Sequence, residues 1–433
     1  MTKNNKKPSE YDVALSLITQ GTQIIKTNQS NDLIYLYNNG YWEYNDSIPL
    51  LKIKIQRIMN EKTTKNFVDE TIECIRRLTY QPAEQLEKDR RYLHLNNFIY
   101  DIKKGKTLEF SPNYFVTTRI SATYEPKQST AKINNYCKTL VQYNDVMKLQ
   151  EHLGDILSPH TATKKLLYLY GKRNSGKSTL LNIIASIIGR RNYCSLTMGQ
   201  LNEKFTNFGI YERIANICSE MPHKITLKNL EHIKALTGGD YITIEKKYMQ
   251  PFEYRPIIKH IFAANGIPHI SLQQADEAFF SRFDFIEFPY SFKPDSTIIS
   301  KYTTEEIKSA WFNWLLEGYH RLRDNGWEFT NQLDVDAVEQ LFTKTKNNPH
   351  LFYIWLREHY SLSTAANDYL EKKELHKDYL EYCKEHNVAS RYQYPYTSFC
   401  KRMLNQDIIP VVSAKRGAKG NQKSVFLGIK KLE

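Results

Sequence analysis

The sequence predicts an α/β chain centred on a phosphate-binding strand, loop and helix, with an α+β region before it and a basic helix-and-strand region after it. Three observations predict this. Residues 166–190, LLYLYGKRNSGKSTLLNIIASIIGR, pass from an apolar strand through GxxxxGK[ST] into a run with helical spacing. Ahead of them, short aromatic strand patterns alternate with helical ones. Behind them, residues 391–433 hold nine Lys+Arg against Asp407 and Glu433, so 9 − 2 = +7 of the chain's +13 sits on its last tenth.

The 433 residues leave room for about two to four domains. Hydrophobic residues at 41% exclude a disordered chain, and Lys+Arg 60 against Asp+Glu 47 is the balance of a protein that meets a polyanion. Cysteines at 74, 137, 194, 218, 383 and 400 form no CxxC pair, which argues for a reducing compartment and against zinc. The polar start MTKNNKKPSE has no apolar core of a leader, and no run approaches the length of a membrane span. A cytoplasmic protein without a membrane partner is expected.

Residues 1–125 are expected to form the N-terminal α+β domain. The spacing predicts a helix over 11–30, then LIYLYNNGYWEY (Leu33–Tyr44) reads as two strands around an Asn-Asn-Gly turn. Its tyrosines and Trp42 could stack on bases, although packing in a small core is the more frequent fate of hairpin aromatics. Helices follow near 50–60 and 66–79; Lys52, Lys54 and Arg57 give the first a basic face, usually a solvated one. Strand runs over 95–120 close the domain. Residues 126–300 are expected to be the nucleotide core, with a polar helical lead-in over 129–158.

In that core, Gly171 and Gly176 let successive N–H groups and the helix N-terminus point at one set of phosphate oxygens. Gly171, Lys172, Arg173, Asn174, Ser175, Gly176, Lys177, Ser178 and Thr179 are the expected nucleotide contacts. Lys177 would reach the β- and γ-phosphates and Ser178 a Mg²⁺ ion, making ATP and Mg²⁺ the expected ligands. A Gly/Lys-rich surface turn is the alternative. Hydrolysis needs a second strand ending in a carboxylate, expected beside the first. RIANICSEMP (Arg213–Pro222) supplies Glu220, with Ser219 where a second acid is usual, so Glu220 alone would orient water and share the metal with Ser178; a strand-end glutamate facing solvent is the alternative.

KALTGGD (Lys234–Asp240) reads as a helix with a glycine C-cap. Strands at Tyr241–Thr243 and Phe252–Tyr254 flank a tip where Lys246, Lys247 and Tyr248 suit a phosphate backbone, or form an ordinary charged turn. The strand in IIKHIFAANGIPHI, expected adjacent to the phosphate-loop strand, ends at Asn265, whose amide could bond the γ-phosphate and lytic water, or cap the next turn. Arg282 precedes another strand, in AFFSRFDFIEFP; in a ring it could reach a neighbour's γ-phosphate, and in a monomer it would form a surface ion pair.

Residues 301–345 are read as a helical linker with Trp311, Trp314, Leu315 and Tyr319 on a buried face. Asn347-Asn348-Pro349 breaks the pattern ahead of a module over 346–433. Helices at Glu374–His386 and Tyr396–Leu404, followed by two strands around a Gly, Lys and Arg loop, have the shape of a winged helix. Ser398, Lys401 and Arg402 could enter a major groove while Lys415, Arg416, Lys419 and Lys423 hold phosphates. A winged helix used for protein contacts is the competing reading.

In order, GKRNSGKS, ICSE, LTGGD, FAANGIP and SRF over residues 165–290 resemble the superfamily 3 helicases, particularly the phage and plasmid primase-helicase family and its poxviral relatives. NNFIYDIKKGKTLEFSPNYFVTT resembles that family's domain preceding the ATPase, and the C-terminal region its DNA-binding domain. The resemblance implies an AAA+-like core in a ring, usually a hexamer, moving 3′→5′ on single-stranded DNA. It carries Lys177, Ser178, Glu220, Asn265 and Arg282 over as nucleotide, Mg²⁺, catalytic, sensor and finger residues, Lys246 and Lys247 as DNA contacts, and Lys234 as a second cation acting in trans. Ser219 and Ser281 depart from the family pattern, where an acid and an arginine are common. No paired carboxylates with a downstream His precede residue 120, so a motor or initiator without primer synthesis is expected. The expected function is an ATP-dependent helicase opening DNA in replication of a phage, plasmid or genomic island, with origin DNA as a further partner. The alternative is a nucleotide-dependent DNA-binding switch or repressor that unwinds nothing.

Overall fold

The computed structural model describes residues 7–19, 25–28, 33–60, 63–81, 90–201, 203, 207–222, 224–225, 230–245, 251–267, 269–270, 276–343, 351–363, 368–386, 393–404, 411–418 and 422–432. They fall into two compact units, one within 1–266 and 275–334, the other within 267–274 and 335–433.

The first unit is organised by five parallel strands: β1 (Leu166–Gly171), β2 (Tyr193–Cys194), β3 (Ala215–Cys218), β4 (Lys259–Ala264) and β5 (Phe283–Phe288), in the order β5-β1-β4-β3-β2. A parallel sheet is covered on both faces, which is why β1, β3 and β4 read as nearly unbroken apolar runs and are buried along most of their length. Sequence reasoning expected the Glu220 strand beside β1. Instead β4 lies between them, pairing Ile261 with Leu167 on one side and Ile217 on the other. Parallel strands need crossovers, and crossovers allow a later strand to be inserted between two earlier ones.

Helices α1 (Val146–Gly154), α2 (Lys177–Ile188) and α3 (Glu305–Asp324) cover the sheet. Residues 301–345, read as a linker, contribute Trp311, Trp314, Leu315 and Tyr319 to the same core as β1 and α2. Where α1 and α3 cross, backbone meets backbone. A Cβ on Gly154 would lie 2.5 Å from the Leu315 carbonyl oxygen, and one on Gly318 would lie 2.2 Å from that of Gln150.

Ionic groups are buried beneath this packing. Asp284 of β5 is fully enclosed, with His152 Nε2 2.8 Å from one oxygen and Lys148 Nζ 3.5 Å from the other. Burial alone would raise its pKa, but His152 and Lys148 hold it below the ordinary carboxylate value. Glu151 is likewise enclosed, accepting from Arg321 Nε at 2.6 Å and the Thr330 amide at 2.7 Å.

The N-terminal part of this unit carries the expected hairpin. Strands Leu33–Asn38 and Tyr41–Glu43 join through Asn39 and Gly40 at φ +44° and +94°, the left-handed pair a two-residue turn requires. Tyr35 and Trp42 are buried against Phe115, so core packing accounts for them and base stacking does not. The helix expected over 11–30 is Glu10–Thr19, with Ile25–Asn28 paired antiparallel to Leu33–Leu36. The β-branched Ile25 and Thr27 suit that strand better than a helix. Strands Tyr92–His94, Ile99–Asp101 and Lys106–Leu108 form a separate antiparallel sheet.

The second unit packs helices Leu351–His359, Lys372–Glu385 and Tyr396–Met403 around Trp355, Tyr379, Phe399 and Phe426. Its three-stranded antiparallel sheet runs Tyr369–Glu371, Lys423–Leu427, Val412–Arg416. All six cysteines are free thiols; five are buried and Cys400 is half-buried. Among the described residues no helix is long and apolar enough to cross a membrane.

The α1–α3 crossing gives a direct prediction. Gly318→Ala should lower stability by about 1–3 kcal/mol, read as a fall in the thermal midpoint, because two helix backbones must separate to admit one methyl group. Gly266→Ala, where a Cβ meets nothing within 4 Å, is the control and should leave the midpoint unchanged.

Candidate nucleotide site

β1 hands the chain to the glycine loop at Gly171, which pairs with Phe288 on β5 and has φ +146°. A Cβ there would stand 2.2 Å from the Phe288 carbonyl oxygen, so only glycine fits. Asn174 adopts φ +57°, and its carbonyl accepts from the Phe292 amide at 2.9 Å. Ser291 Oγ donates to the Arg173 carbonyl at 3.1 Å. The chain leaving β5 therefore clasps the loop from one side. Gly176 at φ +88° then caps α2.

The Lys177 ammonium is held inside this loop. It donates to the carbonyl of Gly171 at 3.1 Å, that of Lys172 at 2.9 Å and Ser175 Oγ at 2.8 Å. Burial lowers its pKa. Lys177 is the first residue of α2, so this cation and the helix N-terminus stand together at the loop, an arrangement that favours a phosphate.

Across the same edge, Ser178 Oγ, at the start of α2, donates to the Ser219 carbonyl at 3.3 Å, although β4 separates β1 from β3. The Met221 amide reaches back to the Ala263 carbonyl at 2.8 Å, drawing Ser219 and Glu220 over the end of β4. Ala264 is level with Tyr170, so Asn265 follows β4 at the height of Gly171. Glu220 and Asn265 are both exposed. The loop, Ser178, Glu220 and Asn265 thus share the carboxyl edge of the sheet, where open α/β folds bind ligands.

Arg282 lies at the opposite edge. Its carbonyl accepts from the Leu166 amide at 2.7 Å, level with the first residue of β1, and its Nε is buried without a partner among the described residues. Six strand residues at about 3.3 Å each put it roughly 17–20 Å from the loop of its own chain. Lys234 is close in structure to this turn. It pairs with Glu231 at 2.6 Å and with Asp276 at 3.0 Å, and Asp276 caps the helix leading to Arg282 by accepting from the Phe279 amide at 2.8 Å. The two carboxylates raise the Lys234 pKa.

Beside the loop opens a cavity of about 1130 Å³, bounded by Tyr136, Leu140, Thr179, Phe292 and Tyr302 with Asn174 and Gly176. The Tyr136 and Tyr302 rings stack at 4.3 Å. An apolar, aromatic wall next to a phosphate cradle has the character needed for a base and sugar. Sequence reasoning named Asn174, Gly176 and Thr179 but missed Tyr136, Leu140, Phe292 and Tyr302, because their segments meet only through the fold; the polar spacing of 129–158 marked a helix and nothing more.

The remaining candidates lie elsewhere. Lys246, Lys247 and Tyr248 lie outside the described residues; the strands before and after them pair antiparallel, Ile242 with Tyr254. In the second unit Lys401 is exposed on the helix Tyr396–Met403, while Arg402 packs over Tyr394 at 4.5 Å. Lys415 is exposed, Arg416 lies over Tyr369 at 5.8 Å and Lys423 pairs with Glu371 at 2.7 Å. Lys419 is outside the described residues.

Comparisons with known proteins meet this geometry at two places. Residues 17–143 match the family described as D5 N terminal like, and residues 169–282, from β1 to Arg282, match a family of unknown function, DUF5906. The chain is 22% identical over 284 residues to the protein named "Putative helicase L207/L206" of Acanthamoeba polyphaga mimivirus. That match takes in 62% of this chain and 29% of the viral protein, so the chain spans less than a third of its relative's length. Among solved structures, the A form apo structure of the NrS-1 C-terminal region superposes with a TM-score of 0.51 at 13% identity, over 98% of this chain and all of the other. A second apo structure of that region, residues 305–718, gives 0.51 at 14% identity over 98% and 100%. The mixed α/β architecture with its parallel sheet is therefore one already seen in the NrS-1 C-terminal region, and the viral relative is one named a putative helicase.

The site predicts that Lys177→Ala weakens binding of a fluorescent ATP analogue by at least about tenfold, the loss of one charge-assisted phosphate contact. Phe292→Ala should weaken the same analogue while leaving the affinity for inorganic triphosphate unchanged, which equilibrium titration of the two ligands would separate.

Proposed function

We propose that this chain is an ATP-driven DNA helicase of the superfamily 3 type, with an AAA+-like P-loop core acting in a ring and a C-terminal winged-helix module. The observation that carries the reading is the position of Arg282, at the far edge of the sheet from its own glycine loop, with a buried Nε that has no partner among the described residues. A guanidinium so placed serves a nucleotide only if that nucleotide belongs to another copy, which is the arrangement of a head-to-tail ring. The residues fit the ligands that this function requires. Lys177 and the loop amides would hold the phosphates of ATP, and Ser178 with Glu220 would hold Mg²⁺, which keeps several waters and needs few protein oxygens. The bound metal would supply charge neutralisation at the phosphates. Glu220 then orients the attacking water, Asn265 bonds to the terminal phosphate, and Arg282 of the adjoining copy balances charge as it develops.

For DNA, Lys246, Lys247 and Tyr248 are the contacts on a single strand, and the exposed Ser398 and Lys401 with Lys415 are those on duplex or origin DNA. Arg402 and Lys423 serve the module's own packing first, since each already has a partner. The domain limits 1–125, 126–300, 301–345 and 346–433, a hexamer and 3′→5′ movement belong to the same proposal.

One observation favours a second reading. Ser219 stands where a second acid is usual, and its carbonyl takes the Ser178 hydroxyl. A site with one carboxylate suits slow turnover, and the chain would then be a nucleotide-dependent DNA-binding switch.

Strand release from a forked duplex separates the two. Wild-type protein should release the strand in the presence of ATP and Lys177→Ala should not; turnover indifferent to single-stranded DNA, with no release, would favour the switch. Mixing Lys177→Ala with Arg282→Ala should restore measurable ATP turnover that neither has alone, because an intact loop then meets an intact arginine on another copy. For the second unit, Lys401→Glu with Lys415→Glu should weaken duplex binding by about 1 kcal/mol or more without lowering basal ATP turnover, as a gel-shift titration and a phosphate-release assay would read.

A further inference from the structure

A basic cavity lies at the other end of α2 from the glycine loop, a separation of about 18 Å for its 12 residues. It has a volume of about 430 Å³, and four arginines line it: Arg119, Arg190, Arg191 and Arg213. They arrive from three separate stretches of chain. Two carboxylates share the lining, Glu43 and Glu212.

Both carboxylates already have partners. Glu43 is held by Arg191 and accepts from the Tyr41 hydroxyl at 3.2 Å. Glu212 accepts from the Tyr35 hydroxyl at 2.9 Å. Arg191 is further paired with Asp46 at 2.8 Å. Arg119, Arg190 and Arg213 make no ion pair among the described residues. The Arg119 guanidinium lies over the Tyr41 ring at 5.2 Å and that of Arg190 over Tyr193 at 5.0 Å, while Arg213 donates to the Arg191 carbonyl.

The C-terminus of α2 accounts for part of this cluster, since cations are favoured near the last carbonyls of a helix. That explains Arg190 and Arg191. It does not explain Arg119, brought from before α2, or Arg213, brought from the turn ahead of β3. Four guanidiniums face two carboxylates around one cavity, so positive charge is in excess there, and an anion between the arginines offsets their mutual repulsion. Their forked donors match a phosphate better than a chloride-sized ion, and the Ser121 and Thr117 hydroxyls on the same wall add further donors.

We propose that this arginine-walled cavity is a phosphate-binding site separate from the nucleotide loop. The phosphate comes either from a DNA backbone or from a free phosphate, and the two sources share this recognition chemistry. The site stands apart from the helicase reading and requires neither ATP turnover nor a ring.

The test compares the full wild-type chain with Arg119→Gln/Arg213→Gln. Neither arginine has a carboxylate partner and each adds to the repulsion, so the variant should keep or raise the wild-type thermal midpoint in phosphate-free buffer. Inorganic phosphate should raise the midpoint of the wild type more than that of the variant; any contribution of the glycine loop is common to both and cancels in the difference. If the source is DNA, the salt dependence of single-stranded oligonucleotide binding should also become shallower, by about 0.7 in the log–log slope for each DNA phosphate no longer neutralised. Loss of the phosphate effect with an unchanged slope assigns the site to a free phosphate. Equal phosphate stabilisation and equal slopes in the two proteins would overturn the proposal. Should the double variant fold poorly, Arg119→Gln alone, at an exposed position, carries the same comparison, and Arg119→Lys should retain only part of the effect because it keeps charge and loses the fork.

Discussion

The register of three parallel strands governs the rest of the molecule. Leu166 starts level with Phe283, and Tyr170 ends level with Ala264. From that alignment it follows that the glycine loop and Asn265 emerge together at one edge, and that Arg282 is left at the other. A slip of one residue would turn every side chain of β1 to the opposite face. The contact of Gly171 with Phe288 secures the alignment at its critical end, because no larger residue fits there.

Beneath the sheet, burial of charge supplements apolar packing in joining β5 to the helices. Asp284, His152 and Lys148 are enclosed together, and the enclosed Glu151 is met by the half-buried Arg321. Such groups are costly to desolvate and add little net stability over apolar residues of similar size, but removing one partner leaves an uncompensated charge. They therefore act chiefly against misplacement of α1 and α3 on the sheet. Gly154 and Gly318 work in the same sense sterically, since only one crossing brings the two helix backbones so close.

What could be read from the sequence follows the range of the interactions involved. GKRNSGKS marks a strand, a turn and a helix because all three are local, and the Asn39-Gly40 turn is legible for the same reason. The buried face of Trp311 and Trp314 was visible as helical spacing, but its membership of the central core was not, since spacing says that a face is covered and not by what. The insertion of β4 between β1 and β3 left no local trace. Neither did the wall of Tyr136, Phe292 and Tyr302, nor the meeting of Arg119 with Arg213, because each joins stretches far apart along the chain. The helix expected through residue 30 failed where Ile25–Asn28 gains strand partners, a case of tertiary pairing overriding a weak local preference.

The distribution of thiols has a practical bearing. Five of the six are enclosed, and burial pushes Cys194 up to about 12 and Cys137 higher still, so neither ionises readily in neutral solution. Cys400 alone is partly open to solvent, on the helix that also carries Lys401. The native chain thus comes with one favoured attachment point for a fluorophore or spin label, beside a basic helix face, with no need to strip the other sulfur atoms out first.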